Sequence, residues 1–204
     1  MMEYDRVVAD LAEIDPPTLT RLHQRLEQRA ERRDLLDVAF RTVDSPVGPL
    51  LIAATREGLV RVAYEREGMD AVLQTLASTI SPRVLAAPRR LDDAAFQLDE
   101  YFAGRRRVFD VPLDLRLAAG FRRLVLAELT GIPYGSTRSY TQVAAGTGHP
   151  RAVRAVGSAC ASNPLPLVVP CHRVLRSDGS LGGYLGGVQI KRTLLQLEAA
   201  AAAQ

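Results

Sequence analysis

A thiol, an imidazole and a guanidinium stand in a row at Cys171-His172-Arg173, directly behind the segment Asn163-Pro164-Leu165-Pro166-Leu167-Val168-Val169-Pro170. Thiolate is the form of cysteine that attacks electrophiles, and imidazole or cationic neighbours favour it. Proline fixes its own φ and offers no amide hydrogen to a sheet. Pro164, Pro166 and Pro170 therefore predict a stiff, pre-shaped approach to Cys171, with Leu167 to Val169 reading as a short apolar strand. The pattern fits a nucleophilic cysteine. It also fits a buried structural one, the commoner fate of a free thiol. Cys160, the other cysteine, reads as a small packing residue. Two cysteines build no disulfide framework, and a reducing cytoplasm is the expected setting. No cofactor is expected. Residues 1–120 hold no cysteine and one histidine, His23, and a set of Cys160, Cys171, His149 and His172 has no familiar ligand spacing, so no metal is expected either.

The elements ahead of Cys171 must position it. Phe121 to Leu129 reads as a helix ending at Thr130-Gly131, followed by the turn Ile132-Pro133-Tyr134-Gly135. Ser139 is placed to cap a short helix carrying Tyr140, Val143 and Ala144. Gly146-Thr147-Gly148-His149 reads as a turn, with a second helix from Pro150 to about Ala161. Helix, short glycine-containing turn and helix form the helix-turn-helix pattern. The second helix carries the small residues Ala152, Ala155, Gly157, Ser158, Ala159 and Ala161, with Arg151 and Arg154 between them. Reading base edges in a major groove takes several long polar side chains. This helix instead suits close backbone approach in a minor groove, with one arginine as a wedge. A small-residue helix packed inside a core is the other reading of the same periodicity.

The rest of the chain is quieter. Residues 3–14 place Val7, Val8, Leu11 and Ile14 at helical spacing, and beyond the breaker Asp15-Pro16-Pro17 so do Leu19, Leu22 and Leu26. These two short helices read as an extension ending near Arg33 and packing on the remainder, with His23 as a solvated surface residue. Val38 to Val43, Leu50 to Ala54 and Leu59 to Tyr64 read as strands of an antiparallel meander, joined by turns at Ser45–Gly48 and Arg56–Gly58. Helices follow from Met69 to Ile80 and from Leu91 to Phe102, the second with Phe96, Leu98 and Tyr101 as apolar positions. Arg105 to Phe109 reads as an arginine-guarded edge strand, and Pro112 to Gly120 as a linker. Net charge is +3 over 204 residues, but residues 121–204 hold nine bases and three acids, a balance of +6. A basic C-terminal half points to a polyanionic partner. No stretch is long and apolar enough to span a membrane, and the acidic N-terminus resembles no targeting peptide.

Ile132-Pro133-Tyr134-Gly135, Ser139-Tyr140, Arg151 to Val156, Asn163-Pro164, Pro170 to Val174, Gly183-Tyr184, and Leu194-Leu195 before Glu198 together resemble the O6-alkylguanine-DNA alkyltransferases, the methylated-DNA–protein-cysteine methyltransferases. The resemblance covers Asp37 to Glu198 in the family's order and spacing. It implies an α+β fold of two domains: an N-terminal RNase H-like α/β domain with antiparallel strands (37–112) and a mainly helical, winged-helix-like domain with a helix-turn-helix (113–204). Residues 1–36 form a helical extension outside it.

The resemblance also implies the chemistry. Cys171 matches the acceptor that takes the alkyl group from O6-alkylguanine, and from O4-alkylthymine, in duplex DNA. The thioether formed is irreversible, so each molecule acts once. His172 matches the histidine that relays the thiol proton through a water, since adjacent side chains rarely bond directly. Glu198 matches the carboxylate that orients the imidazole. Tyr140 matches the tyrosine that serves N3 of the extruded base as guanine leaves. Arg154 matches the arginine that fills the stack behind the flipped nucleotide. Arg151, Ala152, Ala155 and Gly157 complete that DNA-facing stretch. Asn163 matches the asparagine tying the helix-turn-helix to the active-site turn. Val174, Tyr184 and Pro166 match pocket positions, and Leu185 departs from the family's usual small or hydroxylated residue. The implied partner is double-stranded DNA, bound in the minor groove with little sequence preference and without an obligate protein partner. A lesion-binding alkyltransferase-like protein without transfer chemistry is the alternative, and retention of Cys171, His172 and Glu198 argues against it.

Overall fold

The computed structural model describes residues 15–202. The helix expected over 3–14 lies outside them. Helix α1 runs Pro16–Arg32, started by Asp15, whose carboxylate accepts from the amide of Thr18, and by prolines at its first two positions. His23 is not solvated: its Nε2 bonds the carbonyl of Ala86, which docks α1 against the sheet.

Strands β1 (Val38–Val43), β2 (Leu50–Ala54) and β3 (Leu59–Tyr64) form the expected meander. Alternation along a strand sends successive side chains to opposite faces. Val38, Leu51, Ala53 and Ala63 accordingly join Val72 and Leu76 of helix α2 (Met69–Thr79) in one cluster, and a register shift in the β2–β3 pairing brings Val60 to the same side. Ala39, Leu50, Ile52, Val62 and Tyr64 face the other way, into the main core. A fourth strand, β4 (Val84–Ala86), pairs parallel with β1 and gives the order β3-β2-β1-β4. Three residues between Pro82 and Pro88 are too short to leave a period in the sequence.

Helix α3 (Asp92–Phe102) buries Ala94, Ala95, Leu98 and Tyr101. Phe96 is instead 58% exposed, on the opposite face. Arg105 to Phe109 is not a strand. The amide of Asp110 donates to Gln97 Oε1 and its carbonyl accepts from Gln97 Nε2, so a side chain takes the place of a neighbouring strand. Nor is 112–120 a slack linker. Leu59 N–H donates to Pro112 and Asp114 N–H to Leu59, while Thr55 Oγ1 donates to the buried Asp114. Gly58 permits this approach, because a Cβ there would meet Pro112 O at 2.2 Å.

The second half contains α4 (Phe121–Thr130), β5 (Arg138–Ser139), α5 (Tyr140–Gly146), α6 (Val153–Ala161), β6 (Val174–Leu175) and α7 (Val188–Ala202). Helix α6 starts three residues later than Pro150, because the amide of Ala152 closes a turn onto His149 O. Val125, Leu126, Leu129, Val143, Ala144, Val156, Ala159 and Leu194 continue the core that begins on the sheet. One apolar cluster therefore couples both halves. Among the described residues no helix is long and apolar enough to cross a membrane.

Candidate active site

Cys171 opens a single 3-10 turn, Cys171–Arg173, immediately after Pro170. The approach to it is a turn rather than the expected strand. Val169 N–H donates to Leu165 O at 2.8 Å, and Leu167 sits at φ +74°, a left-handed conformation that few side-chain-bearing residues adopt. Asn163, fully buried, locks this shape. Its Nδ2 donates to Val169 O at 2.9 Å and to Cys171 Sγ at 3.1 Å, and its Oδ1 accepts from Leu165 N–H at 2.9 Å. The sheet holds the turn from behind, where Val62 N–H donates to Pro164 O at 2.8 Å. Pro166 is buried within it.

Cys171 is 2% exposed. Burial pushes its pKa up to about 11, against a downward pull from the Asn163 hydrogen bond and the Lys191 charge. The thiol is thus neutral at rest. Arg173, expected from sequence to favour thiolate, faces elsewhere. Its guanidinium grips Glu198 through Nε at 2.9 Å and Nη2 at 2.9 Å and donates to Ile132 O at 2.6 Å.

Glu198, 1% exposed, is the hub of the site. It accepts from His172 Nε2 at 2.8 Å, Tyr101 OH at 2.8 Å and Gly135 N–H at 3.1 Å, as well as from Arg173. Burial alone would raise its pKa, but the hydrogen bonds from His172 and Arg173 outweigh that and hold it at about 2. Glu198 is therefore a fixed anion, and its bond to Nε2 makes that nitrogen the protonated one of a neutral ring. Burial also keeps the His172 pKa below the ordinary imidazole value, although Glu198 pulls the other way. His172 Nδ1 is buried and bonds no described residue, so its lone pair is available as a base.

Helix α7 explains how a residue so late in the chain arrives here. Lys191, Leu194 and Glu198 recur every three or four residues and share its inward face, and all three are buried. Lys191 is the functional candidate that motif reading missed. Its ammonium is buried, donates to Val174 O and lies 5.9 Å from the Tyr140 ring centre. The available signal was compositional, since it is the only lysine among 26 basic residues.

Tyr140 is the first residue of α5, whose start is fixed by Ser139 and Gln142 bonding each other's backbone amides at 3.1 and 2.7 Å. Burial, with the nearby Cys160 and Cys171 thiols, pushes its pKa to about 12, so it stands as a proton donor. Gly182 passes so close that a Cβ there would lie 2.6 Å from the Tyr140 hydroxyl. Tyr184 crosses the His172 ring edge-on at 6.3 Å and shares a 2.7 Å hydroxyl contact with Tyr64 of β3. Leu185 beside it is half-buried against the core. Val174 is buried and pairs in parallel with Arg138.

The helix-turn-helix residues divide by face. Val156, Ala159 and Cys160 are buried, which resolves Cys160 as a packing residue, whereas Arg151, Arg154 and Ala155 are exposed and Ala152 and Gly157 half-exposed. A Cβ at Gly157 would meet nothing within 4 Å, so that backbone lies open.

Family models match both halves: residues 38–115 the ribonuclease-like domain, and residues 120–200 the DNA-binding domain, of 6-O-methylguanine DNA methyltransferase. The chain belongs to the 6-O-methylguanine DNA methyltransferase family. A methylated-DNA–protein-cysteine methyltransferase of Mycobacterium tuberculosis is 42% identical over 79% of this chain and 92% of its own length. The constitutive Bacillus subtilis methyltransferase of that name is 39% identical over 78% and 94%. The solved structure of Mycobacterium tuberculosis OGT in complex with DNA is similar at a TM-score of 0.69, with 40% identity over 80% of this chain and 94% of that one. The methyltransferase family thus accounts for the α+β, two-part architecture, and helix α1 lies outside both matched spans.

Proposed function

We propose that this protein repairs O6-alkylguanine in double-stranded DNA by transferring the alkyl group to its own Cys171, once per molecule. The observation that carries it is the 2.8 Å hydrogen bond to Glu198 from His172, which shares its 3-10 turn with Cys171, whose sulfur accepts from Asn163. In the displacement, the sulfur bonds the alkyl carbon as the carbon–O6 bond breaks and its electrons pass to the guanine. The thiol proton passes through water to His172 Nδ1, forming an imidazolium that the fixed Glu198 carboxylate stabilises. A thiol held near pKa 11 needs such a base at neutral pH. Tyr140 supplies a proton or hydrogen bond to N3 and offsets the charge on departing guanine. Val174, Tyr184, Leu185 and Pro166 line the purine site in this reading, and Asn163 keeps the sulfur in place. O4-alkylthymine has the same electrophilic carbon and is the second substrate.

A base within the stack is out of a thiol's reach, so the nucleotide must be extruded, at a cost of a few kcal/mol. Arg154 fills the stack, while Arg151, Ala152, Ala155 and Gly157 form the surface that enters the minor groove. Sequence preference is weak and binding falls with salt. The functional divisions are 1–36, 37–112 and 113–204, and the reducing cytoplasm is the working compartment. No cofactor enters the reaction.

Intact-mass measurement after incubation with duplex O6-methylguanine DNA tests this reading. One methyl adduct per molecule on Cys171 is expected, and none with Cys171→Ala, which should still bind DNA. An unmodified wild-type protein bound to the lesion would replace this reading with that of a lesion-binding protein.

A further inference from the structure

Helix α1 carries an apolar stripe that the described fold leaves uncovered. Leu19, Leu22 and Leu26, spaced three and four apart, are 46%, 47% and 53% exposed, and Leu35 just beyond the helix is 48% exposed. Leu22, Leu26 and Leu35 line a groove of about 740 Å³ whose far wall is Val84 and Leu85 of the edge strand β4. Arg25, Arg29 and Arg33 stand along its rim, and none has an ion-pair partner among the described residues. A second hollow on the other flank of the same stripe has Glu27 in its lining, 3% exposed, with Oε1 making no hydrogen bond. An apolar strip edged by unpaired cations calls for an amphipathic, acidic occupant.

The chain itself supplies one. Residues 1–14 place Val7, Val8, Leu11 and Ile14 on one side of a helical repeat, and carry Glu3, Asp5, Asp10 and Glu13 against a single base, Arg6. They join the structure at Asp15, whose φ of −61° and ψ of 143° turn the incoming chain off the axis of α1. Pro16 enforces that extended geometry on the residue before it. Fourteen helical residues span about 21 Å, close to the roughly 25 Å of the seventeen-residue α1. The tether therefore ends at the head of the stripe, and its apolar residues 7–14, about 10 Å of helix, suffice to lie beside Leu19, Leu22 and Leu26.

We infer that residues 3–14 fold back onto α1, with Val7, Val8, Leu11 and Ile14 seated on Leu19, Leu22 and Leu26 and the carboxylates of Glu3 and Asp5 toward Arg25 and Arg29. The extension is then a self-contained helical cover over the β4 edge of the sheet, an edge that pairs on one side only.

Arg6 makes the docking measurable, because it is the only trypsin site before Arg21. Trypsin is added to the full-length protein and loss of residues 1–6 is followed by intact mass. Cleavage in the wild type should be slow relative to a free peptide of residues 1–14. In Leu22→Asp/Leu26→Asp, and separately in Arg25→Glu/Arg29→Glu, it should rise at least about tenfold, since proteolysis follows the population of the open form. Raising salt should speed wild-type cleavage as the ion pairs are screened. Both variants alter exposed side chains, and circular dichroism melting confirms that each is folded. Wild-type cleavage at the free-peptide rate, or no acceleration in either variant, overturns the inference. Protection that grows with protein concentration also overturns it, by assigning the groove to the segment of a second copy.

Discussion

Replacing Glu198 by glutamine keeps the shape of the side chain and removes its charge, with two separable consequences. The first is stability. Among the described residues Glu198 is the only carboxylate on the buried guanidinium of Arg173, and it also accepts from Tyr101, His172 and Gly135. An amide nitrogen facing those donors satisfies none of them and leaves Arg173 as a buried, unpaired charge. Breaking a buried pair from one side costs about 3–5 kcal/mol. The pKa gives an independent figure. A carboxyl lowered from 4.5 to about 2 by folding contributes about 3 kcal/mol. That stabilisation is fully present above pH 4.5 and is lost as pH falls toward 2. At neutral pH the Glu198→Gln midpoint in urea should drop accordingly, and Tm should fall by roughly 6–20 °C for a chain of this size. The acid-unfolding curve of the variant should also be flatter between pH 4.5 and 2. The second consequence is kinetic. His172 loses the anion that steadies its protonated form, so the single-turnover transfer rate should fall about 10²- to 10⁴-fold. Adding Arg173→Met should restore much of the stability, because the stranded cation is gone, while the rate stays low. Urea titration and rapid-quench transfer on the same samples test both. A Glu198→Gln protein with wild-type midpoint and wild-type rate would refute the reasoning.

Arg154→Ala should slow repair of duplex DNA by about tenfold or more, consistent with losing part of a flipping energy of a few kcal/mol. Reaction with the free alkylated base, which needs no extrusion, should change far less, and the ratio of the two rates is the measurement. Tyr140→Phe should slow both reactions about equally, since in the proposed reaction the phenol acts on the leaving base rather than on the helix. Lys191→Met removes the cation that pulls the Cys171 pKa down. The pH–rate profile for transfer should therefore move to higher pH, with slower transfer at neutral pH, while DNA affinity measured by anisotropy stays unchanged.

Sequence patterns captured elements whose signal is local. The meander shows as short apolar runs between turn residues, and Ser139 as a cap at the head of its helix. The site was legible as a set of motif residues: His172 does meet Glu198, and Asn163 does meet Cys171. Its electrostatics were not. Neighbours in sequence suggested that Arg173 would serve the thiol, but the 3-10 turn aims consecutive side chains in different directions and sends Arg173 to Glu198 instead. Leu167 to Val169 looked like a strand because apolar β-branched residues suit strands, yet Asn163 takes up the backbone groups a sheet would need. Lys191 carried no motif at all. Its importance lies in burial, which one long side chain on a helix cannot announce. The segment 105–109 misled for a related reason, since Gln97, on the helix just before it, takes the backbone groups of Asp110 at its end.

The hydrogen bond from β3 to Pro164 and the paired hydroxyls of Tyr64 and Tyr184 have a consequence for dissection of the molecule. A fragment beginning at residue 120 would keep Cys171, His172, Tyr140 and Glu198 yet lose the brace behind the cysteine turn and the tyrosine on which Tyr184 rests. The first half carries none of the chemistry, but it sets the tolerance to which the second half is built.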